Sequence, residues 1–549
     1  MSVMTYLPFG ADGIIVRVEA DIRRGIPGFD ITGLAEGAVR EARERVRAAF
    51  RNSGLKFPED RVLINLAPAG LRKDGAALDL PIAVSVMAAA GLAPAAGNLL
   101  IMGELELSGR VRPVRGVLAA IASGLAEGIG DFIVPAENAR EAEILAGADC
   151  LAEYRAGCRA NFAAVGNLSD AVAALFARAE TGAFPAPGVP LAPQSAGGDE
   201  TSPAEGYPAG DFADVKGQGN YKRALEIAAA GGHNALVFGP PGAGKTMLAR
   251  RLPSIMAPLS GHESVEVTRL YSLAGPHVTG KSGFIDQLIT CPPLRSPHHS
   301  ASAEGILGGG RSPRPGEISL AHFGVLFLDE APEFKSAVLQ ALREPLEDRV
   351  ISIVRAERPL QLPAEFQLLM AANTCPCGRL GLRVDYEDAQ HGGQGCFCSQ
   401  EEIHRYWRKF GGALLDRIEI RVPVLPPKIS EIGGQRPPGE ERSADIAKRV
   451  LAAVEVQRRR FKETGARRNA LLSVGKLELC CPMSDQTKSA FHKAITRQGL
   501  SGRAYHGILR VARTIADLAG RETIETEHIM EAIHHRRFGE DPWDIMSVT

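Results

Sequence analysis

The sequence predicts an α/β fold in which a phosphate-binding loop joins a buried strand to a helix, and two motifs lead to this prediction. Residues 239–246, GPPGAGKT, match the spacing G-x-x-x-x-G-K-[ST]. Residues 235–238 (ALVF) precede the match as a buried strand would, and residues 247–252 (MLARRL) follow it with helical character. A second apolar run, residues 325–328 (VLFL), ends in two carboxylates. The chain is therefore predicted to contain a P-loop nucleotide-binding unit.

The residue types in both motifs suit a polyphosphate and a metal ion. Glycines let backbone N–H groups turn toward phosphates, Lys245 can reach the outer phosphates, and the Thr246 hydroxyl can ligate Mg²⁺. The predicted nucleotide-binding residues are Gly239, Pro240, Pro241, Gly242, Ala243, Gly244, Lys245 and Thr246. We expect Asp329 to complete the Mg²⁺ shell and Glu330 to polarise an attacking water. Alone, the second motif could be a core strand with a solvated acidic end, but the pair favours nucleotide hydrolysis.

The composition narrows the class of protein. The chain has 549 residues, of which 63 are basic and 64 acidic, and this balance argues against coating of nucleic acid through overall charge while leaving local basic patches open. Nine cysteines with little regular spacing argue against a disulfide scaffold and favour the cytoplasm. The N-terminus lacks a basic leader followed by an apolar segment, so we expect no export signal. Residues 80–103 are uncharged, but glycines and a proline break them into a buried helix and a short strand rather than a membrane span.

Composition also predicts the domain organisation. Residues 1–175 mix strands and helices, and residues 176–210 are rich in Ala, Gly, Pro and Ser, as in a flexible linker. The nucleotide unit is predicted at 211–425, a second Gly/Pro-rich break at 426–442, and a helical region at 443–549.

Four elements around the P-loop resemble those of AAA+ ATPases. Residues 214–218 (DVKGQ), with the helix-like stretch after them, resemble the adenine-side segment. Asn373 follows a strand-like run and resembles the sensor residue that orients water. Arg417 ends an LLDR segment that resembles the arginine-finger segment, and Arg503 opens a helix as the second sensor arginine does. Without this context, each arginine would more often be a surface ion-pair partner.

The AAA+ resemblance implies an α/β ATPase core with a helical C-terminal lid, and ATP with Mg²⁺ as ligands. It also implies a homo-oligomeric ring, with a hexamer as the expected form, in which an arginine from a neighbouring subunit meets the charge that develops on the transferred phosphoryl group.

Further segments narrow the resemblance to one subgroup. Residues 293–300 (PLRSPHHS), 308–310 (GGG) and 315–324 (PGEISLAHFG) resemble the insert of magnesium-chelatase-type AAA+ proteins. The N-terminal segments that resemble the YifB/ComM family of this group are 28–34, 43–49, 65–69, 72–75 and 111–116. The chain departs from the family pattern at Thr374, where proline is usual, and at Gly507, where arginine is usual.

The first domain resembles the Lon-protease fold, an α+β fold of the S5 domain 2 type. Lon-like peptidases need a serine activated by a lysine, and that serine follows a Lys-Asp-Gly segment. Here Lys73-Asp-Gly is followed by Ala76 and Ala77, which leaves alanine at the expected nucleophile, and residues 114–120 contain no lysine. We therefore expect no peptidase activity and a docking or DNA-contacting role instead.

Four cysteines form two C-x-C pairs inside the nucleotide unit. Cys375 and Cys377 form one pair, Cys396 and Cys398 the other. Four paired thiolates suit tetrahedral zinc, which can organise a loop that has no core of its own. Disulfides or four unrelated thiols remain alternatives, and C-x-C is tighter than the usual C-x-x-C. The histidines at 298–299 are assigned to the chelatase-type insert rather than to this cluster.

Two stretches could supply basic hairpins to a central pore. One is the glycine-rich insert with Arg311 and Arg314, and the other is a pair of short strands around Arg355 and Arg358. Cations on a pore can follow phosphates without reading base sequence. A further basic cluster at 458–468 is explained equally well as a solvated helix face.

Resemblance to the YifB/ComM family implies a hexameric DNA helicase that drives branch migration during natural transformation. The alternative is a chelatase-type subunit that uses ATP to remodel a protein partner. The chain has no D-x-S-x-S metal-adhesion motif, so such a partner would be a separate protein.

Overall fold

The computed structural model describes most of the chain. The described residues are 2–34, 37–73, 75–95, 97–146, 160–184, 210–275, 284–310, 313–353, 360–381, 395–427, 441–462, 466–536, 538 and 543. Within these ranges, no helix combines the length and the apolar character that a bilayer crossing needs.

The N-terminal region forms a seven-stranded mixed sheet. The strands of the region are β1 (Ser2–Leu7), β2 (Ile14–Arg23), β3 (Gly28–Thr32), β4 (Arg61–Ala67), β5 (Leu99–Ile101), β6 (Glu104–Leu105), β7 (Val111–Arg112), β8 (Asp131–Pro135) and β9 (Asn161–Val165). The order across the sheet is β3-β4-β2-β1-β5-β8-β9, and β6 pairs with β7 in a separate ribbon. Burial alternates along β2, where Val16 and Val18 are buried and Arg17 is exposed, because successive side chains of a strand face opposite sides.

Five helices cover the two faces of this sheet. They are α1 (Gly37–Asn52), α2 (Asp79–Ala89), α3 (Val117–Ala126), α4 (Ala139–Ala146) and α5 (Leu168–Thr181). Residues of α1, α2 and α5 share one hydrophobic cluster with the sheet, and residues of α3 and α4 share a second. The prediction of a helix and a strand within residues 80–103 is confirmed by α2 and β5.

A second sheet of five parallel strands lies in the middle of the chain. The strands of this region are β10 (Ala235–Phe238), β11 (Leu294–Arg295), β12 (Gly308–Gly309), β13 (Arg314–Pro315), β14 (Val325–Leu328), β15 (Val350–Ile353), β16 (Leu360–Pro363), β17 (Gln367–Ala372) and β18 (Ile420–Pro423). The order is β11-β14-β17-β10-β18, and β12–β13 and β15–β16 are separate antiparallel hairpins. Every residue of β10, β14 and β17 is buried, which explains their unbroken apolar sequences.

Helices surround this sheet and continue into the C-terminal region. Those of the sheet region are α6 (Gly219–Gly231), α7 (Lys245–Ala249), α8 (Gly261–Ala274), α9 (Ala303–Leu307), α10 (Glu317–Leu320), α11 (Ser336–Ala341), α12 (Arg343–Asp348), α13 (Gln400–Arg408) and α14 (Gly412–Leu415). The C-terminal helices are α15 (Ser443–Arg460), α16 (Val474–Cys480), α17 (Asp485–Gln498), α18 (Gly502–Leu518) and α19 (Thr526–Arg536). Residues of α6, α15 and α18 join the sheet in one hydrophobic cluster, so the C-terminal helices pack on the nucleotide unit.

Helix α8 joins the two sheets. Val265 and Leu273 of α8 belong to the hydrophobic cluster of α3 and α4. The backbone N–H of Gly116 donates to the Ser272 carbonyl at 3.1 Å. Arg269 lies 3.2 Å from the Asp12 carboxylate. The N-terminal region is thus docked on the nucleotide unit through α8, and also through Ala11, which packs in the same hydrophobic cluster as Leu360 of β16.

Helix α5 shifts one predicted domain boundary. It runs to Thr181, past the predicted end of the first domain at 175. Asn167 caps its N-terminus, and Gly182, with a φ of 74°, ends it, since glycine adopts this left-handed conformation without a steric penalty. The predicted linkers at 176–210 and 426–442 lie for the most part outside the described residues.

Candidate nucleotide-binding site

The phosphate loop lies at the carboxyl end of β10, which is paired with β17 on one side and with β18 on the other. Ligands bind at the carboxyl ends of the strands in open α/β sheets. A Cβ atom added to Gly239 would lie 1.9 Å from the Val424 carbonyl oxygen, so only glycine fits there. Gly242 and Gly244 have φ values of 77° and 84°, and a Cβ added to Gly242 would meet no atom within 4 Å. The loop therefore exposes its backbone on the side where a phosphate would lie.

Lys245 begins α7 and is buried within the loop. Its ammonium donates to the carbonyls of Gly239 and Pro240, both at 2.8 Å, and to Oδ1 of Asn373 at 3.1 Å. Burial lowers the pKa of Lys245 to about 8, although Asp329 and Glu330 act in the opposite direction. A polyphosphate would supply the negative charge that this buried amine lacks.

Two carboxylates follow β14 at the same edge of the sheet. The Thr246 hydroxyl donates to Oδ2 of Asp329 at 2.9 Å. The two oxygens predicted to bind Mg²⁺ therefore lie next to each other. Glu330 is exposed and has a φ of 49°, an uncommon conformation for a residue other than glycine. Nδ1 of His299 lies 3.7 Å from Oε2 of Glu330. The chelatase-type insert thus contacts the carboxylate predicted to activate water.

These groups line one cavity of about 360 Å³. Its lining includes most of the predicted nucleotide residues, namely Pro241, Gly242, Ala243, Gly244, Lys245 and Thr246, together with Asp329, Glu330 and Asn373. Gly239 and Pro240 contribute only through the carbonyls that accept from Lys245. The structure therefore brings together the predicted phosphate, metal and water-activating residues.

The two predicted arginines lie elsewhere, in a separate cavity of about 720 Å³. Arg417 lies 2.6 Å from Oε1 of Glu347, and Arg503 hydrogen-bonds the same oxygen. The hydrogen bond from Arg417 is the main reason why the pKa of Glu347 is lowered. Neither arginine lines the nucleotide cavity of its own chain.

The four cysteine thiols form a cluster beside the end of β17. Sγ of Cys375 lies 3.3 Å from that of Cys377 and 3.6 Å from that of Cys396. The thiols of all four cysteines, including Cys398, lie within 4.8 Å of one another, and none is in a disulfide. Although burial opposes it, hydrogen bonds from the Arg379 backbone and from neighbouring thiols lower the pKa of Cys377 to about 6. Burial raises the pKa of Cys396 to about 12 and also raises that of Cys398, so the fit to a metal rests on the positions of the sulfurs. The set fits a tetrahedral thiolate metal site.

Comparison with known proteins gives the family. Magnesium chelatase subunit ChlI matches residues 211–432, a second ChlI segment matches 18–138, and the ChlI C-terminal segment matches 440–536. Competence protein ComM of Haemophilus influenzae is 38% identical over 531 residues, which cover 96% of this chain and 95% of ComM. The chain belongs to the YifB/ComM family of magnesium-chelatase-like AAA+ ATPases.

Other members of the YifB/ComM family are similar over the same length. YifB of Escherichia coli is 37% identical over 540 residues, covering 97% of this chain and 96% of that protein. YifB of Salmonella typhimurium is 38% identical over 539 residues, again covering 97% and 96%. The likeness therefore includes the N-terminal region, the nucleotide unit and the C-terminal helices.

The N-terminal region also has a partial likeness to Lon protease. The Lon protease of Desulfovibrio desulfuricans is 26% identical over 140 residues, which are 24% of this chain and 16% of that protein. In this YifB/ComM chain, Lys73 is completely buried. Its amine donates to the carbonyls of Gly33, at 2.9 Å, and Pro68. Burial lowers the pKa of Lys73, and these contacts give the lysine of the Lys-Asp-Gly segment a structural role.

Both predicted hairpins of this YifB/ComM chain are present. The β12–β13 hairpin carries Arg314, which is exposed, and β15–β16 forms the second. The predicted pore residues Arg311, Arg355 and Arg358 lie outside the described residues.

Three residues near the site were not assigned a role from the sequence. Gln218 Nε2 donates to the Ala243 carbonyl at 3.1 Å, and the Tyr221 hydroxyl donates to the Lys245 carbonyl at 3.1 Å. Both lie in the adenine-side segment, so the resemblance already marked their neighbourhood. Glu347 carried no signal, because its role depends on two arginines that are distant in sequence.

Proposed function

We propose that this chain is an ATP-hydrolysing motor that acts on DNA, with helicase or branch-migration activity in homologous recombination during natural transformation. The main observation behind the proposal is that the predicted catalytic residues lie in two separate cavities of the chain. Lys245, Asp329 and Glu330 share the nucleotide cavity, whereas Arg417 and Arg503 lie outside it. Such a division makes hydrolysis depend on a neighbouring copy of the chain, as a ring-shaped motor requires. The competence name of the Haemophilus relative supports DNA as the substrate.

The nucleotide cavity can perform the water-activating half of the reaction. The backbone N–H groups around Gly242 and Gly244 would bind the phosphates, because this side of the loop is open at Gly242. The amine of Lys245, which donates to Asn373 in this structure, would donate to the outer phosphates. Thr246 and Asp329 would hold Mg²⁺, which neutralises phosphate charge. Glu330 accepts the proton of the attacking water, and Asn373 orients that water.

The paired arginines suit the site of a neighbouring subunit. Arg417 and Arg503 meet at Glu347, whose side chain is 44% exposed. The Arg503 side chain is 48% exposed, and an exposed ion pair contributes only about 0 to 1 kcal/mol, so Arg503 can leave Glu347 at little cost. Arg417 is only 12% exposed and also donates to the Ala413 carbonyl, so a triphosphate from the next subunit would have to replace both of its contacts. We therefore propose that both arginines act in trans and that the ring is a hexamer.

The hairpins provide the contact with DNA. Arg314 is an exposed residue of the otherwise half-buried β12–β13 hairpin. It belongs to the same predicted insert as His299, and His299 contacts Glu330. A phosphate backbone held by such cations is followed without base readout. The same insert thus connects DNA contact with the residue that activates water.

The four-cysteine cluster is proposed to hold structural zinc, because the sulfurs of Cys375, Cys377 and Cys396 lie 3.3 to 3.6 Å from one another. Free thiols also agree with the cytoplasm, where we place the protein. With alanine at position 77 and Lys73 held by backbone carbonyls, we propose that the Lon-like region is not a peptidase.

The proposal is tested by ATP hydrolysis and strand displacement on forked and three-stranded DNA. Wild-type protein should hydrolyse ATP faster with single-stranded DNA present and should displace strands only with ATP. Lys245→Ala, Glu330→Gln and Arg417→Ala should abolish displacement, and Arg314→Ala should lower DNA stimulation while leaving basal hydrolysis. A rate of ATP hydrolysis that does not change with DNA, together with no DNA binding in a gel shift, would contradict the proposal that the protein is a DNA motor.

The second candidate is a chelatase-type subunit that remodels a protein partner, favoured by the matches to magnesium chelatase subunit ChlI. It predicts nucleotide-dependent binding to a separate protein with a metal-adhesion domain and no response to DNA. A pull-down with such a domain, set against a gel shift with single-stranded DNA, separates the two candidates.

A further inference from the structure

The cysteine cluster lies directly beside the nucleotide cavity, and this position gives it more than a local structural role. Strand β17 ends at Ala372, and Asn373 and Thr374 lead directly to Cys375. Asn373 Oδ1 accepts a hydrogen bond from the Lys245 amine at 3.1 Å. The residue that contacts the predicted phosphate-binding lysine and the first thiol of the cluster thus both lie within the three residues that follow β17. Cys375 and Asn373 are therefore separated by one residue, Thr374.

Hydrogen bonds fix this short segment to the cluster. The Leu380 N–H donates to Sγ of Cys375 at 3.4 Å, and the Thr374 hydroxyl donates to the Leu380 carbonyl at 2.8 Å. On the other side, Nε1 of Trp407 donates to the Thr374 carbonyl at 3.0 Å. Cys375 and Thr374 are both completely buried, so the segment has little freedom once the cluster is closed.

The cluster also touches the phosphate loop. Gly378 follows the first C-x-C pair and has a φ of 75°. A Cβ added there would lie 2.8 Å from Cδ of Pro241, so the turn after Cys377 packs its backbone against the phosphate loop. Two separate contacts, one through Asn373 and one through Gly378, thus join the cluster to the nucleotide cavity.

The thiols are spaced as a metal would hold them. Four sulfurs around zinc, each about 2.3 Å from the ion, lie about 3.8 Å apart. Sγ of Cys377 lies 3.6 Å from that of Cys396, and Sγ of Cys375 is also 3.6 Å from Cys396. These distances exceed the roughly 2.05 Å of a disulfide and match a tetrahedral thiolate set.

We propose that the four thiolates bind zinc and that the bound metal positions Asn373 and the phosphate loop for ATP hydrolysis. Cys375, Cys377, Cys396 and Cys398 are then positioning residues that act through Asn373 and Pro241. The inference rests on the proposed ATPase function but not on the DNA substrate, so it is tested by basal hydrolysis and nucleotide binding without DNA.

The test compares Cys377→Ser with Cys291→Ser, a cysteine outside the cluster that is also a free thiol. Wild type and Cys291→Ser should each carry about one zinc per chain, and Cys377→Ser should carry much less. The kcat of Cys377→Ser should fall at least tenfold, since a shift of about 1 Å in a positioning group can cost on the order of a hundredfold in rate. Binding of a fluorescent ATP analogue should weaken less than kcat falls.

A double-mutant cycle shows whether the metal acts through the sensor residue. Asn373→Ala combined with Cys377→Ser should be no slower than the slower single variant, because both changes remove the same function. Multiplying effects, or a zinc-free protein that binds the ATP analogue and hydrolyses ATP as wild type does, would overturn the proposal. So would wild-type protein that neither carries zinc nor takes it up.

Two controls separate positioning from misfolding. Cys377→His keeps a zinc-competent ligand set and should recover zinc and most of the turnover. Wild type stripped by a chelator should lose turnover and regain it with zinc, at an unchanged circular dichroism spectrum. If wild type hydrolyses no ATP, the proposed ATPase function is wrong. Binding of the ATP analogue then tests the metal alone: weaker binding after removal of zinc supports its role in positioning the phosphate loop, and unchanged binding contradicts it.

Discussion

Lys245 is the residue whose ionisation matters most to the proposed reaction. It is buried in the phosphate loop, and burial lowers its pKa to about 8, against the opposing effect of Asp329 and Glu330. Triphosphate binding needs the charged amine and raises its pKa again, because the phosphates are negative. The loop therefore binds a proton together with ATP when the pH lies above the pKa of the free protein.

The affinity for ATP should consequently fall above about pH 8 and be insensitive to this group below it. The loss should approach about tenfold per pH unit between the pKa of the free and that of the bound protein. Titration of a non-hydrolysable ATP analogue between pH 7 and 9.5 measures the effect. In the control Lys245→Arg the charge persists throughout, so its affinity should not decline with pH; a wild-type affinity that stays constant would contradict the assignment.

His299 is the second residue with a testable effect. Its Nδ1 lies 3.7 Å from Oε2 of Glu330, and the ring is 38% exposed. We expect this contact to hold Glu330 away from the attacking water until DNA moves the insert. His299→Ala should raise basal ATP hydrolysis about two- to fivefold, in keeping with an exposed pair worth up to about 1 kcal/mol, and lower the stimulation by DNA.

Steady-state hydrolysis with and without single-stranded DNA measures both changes. His404→Ala is the matched control, because His404 is an exposed histidine on another element, α13. Basal rates in His299→Ala equal to those in His404→Ala would show that the contact does not restrain Glu330.

At the scale of elements, α8 is one of the elements that hold the N-terminal region on the nucleotide unit. Glu141 of α4 is completely buried, and burial raises the pKa of its carboxyl group. It accepts from the Leu118 N–H at 3.0 Å, from Asn138 Nδ2 at 2.9 Å, and from the Ser272 hydroxyl of α8. Ser272 therefore satisfies part of a buried carboxylate across the contact between the two regions.

Ser272→Ala should destabilise this contact by about 1 to 3 kcal/mol, since it removes a donor from a buried polar group. Urea unfolding and limited proteolysis of the full chain measure the loss. The control His262→Ala changes the exposed side of the same helix, where the ring is 43% exposed, and should have little effect. Equal stability of the two variants would show that the hydroxyl contributes nothing.

The elements that were predictable are those that local patterns specify. The phosphate loop, β14 with its two carboxylates and the β15–β16 hairpin follow from residues that are neighbours in the sequence. The docking of α8 on α3 and α4 was not predicted, because it joins apolar side chains more than a hundred positions apart, such as Leu118 and Leu273. Most residues of α8 are buried, so its apolar pattern does not identify which elements it contacts.

The same limit applies to the site. The sequence placed Lys245, Asp329 and Glu330 in one site, and geometry brings them to one cavity. It also paired the cysteines, but it gave no indication that Gly378 would pack on Pro241. The meeting of two arginines at Glu347 depends on the fold of three distant segments and has no local sequence pattern.

At the scale of the whole molecule, the division of the site predicts complementation between subunits. In a ring, each nucleotide would be held by Glu330 of one chain and met by Arg417 of the next. Glu330→Gln removes the carboxylate that each chain contributes to its own nucleotide, and Arg417→Ala removes the guanidinium that each chain contributes to the nucleotide of its neighbour. In mixed rings, an interface that takes Glu330 from one variant and Arg417 from the other is intact.

Equal mixing of these two inactive variants should therefore restore about a quarter of wild-type ATP hydrolysis, since random assembly makes about one interface in four intact. Arg503→Ala mixed with Glu330→Gln should behave in the same way if Arg503 also acts in trans. Lys245→Ala mixed with Glu330→Gln is the matched control, because both residues line the same cavity of one chain and no interface can combine them. No recovery in the arginine mixtures would place the arginines in the site of their own chain. Recovery in the control would contradict the placement of Lys245 and Glu330 in one site.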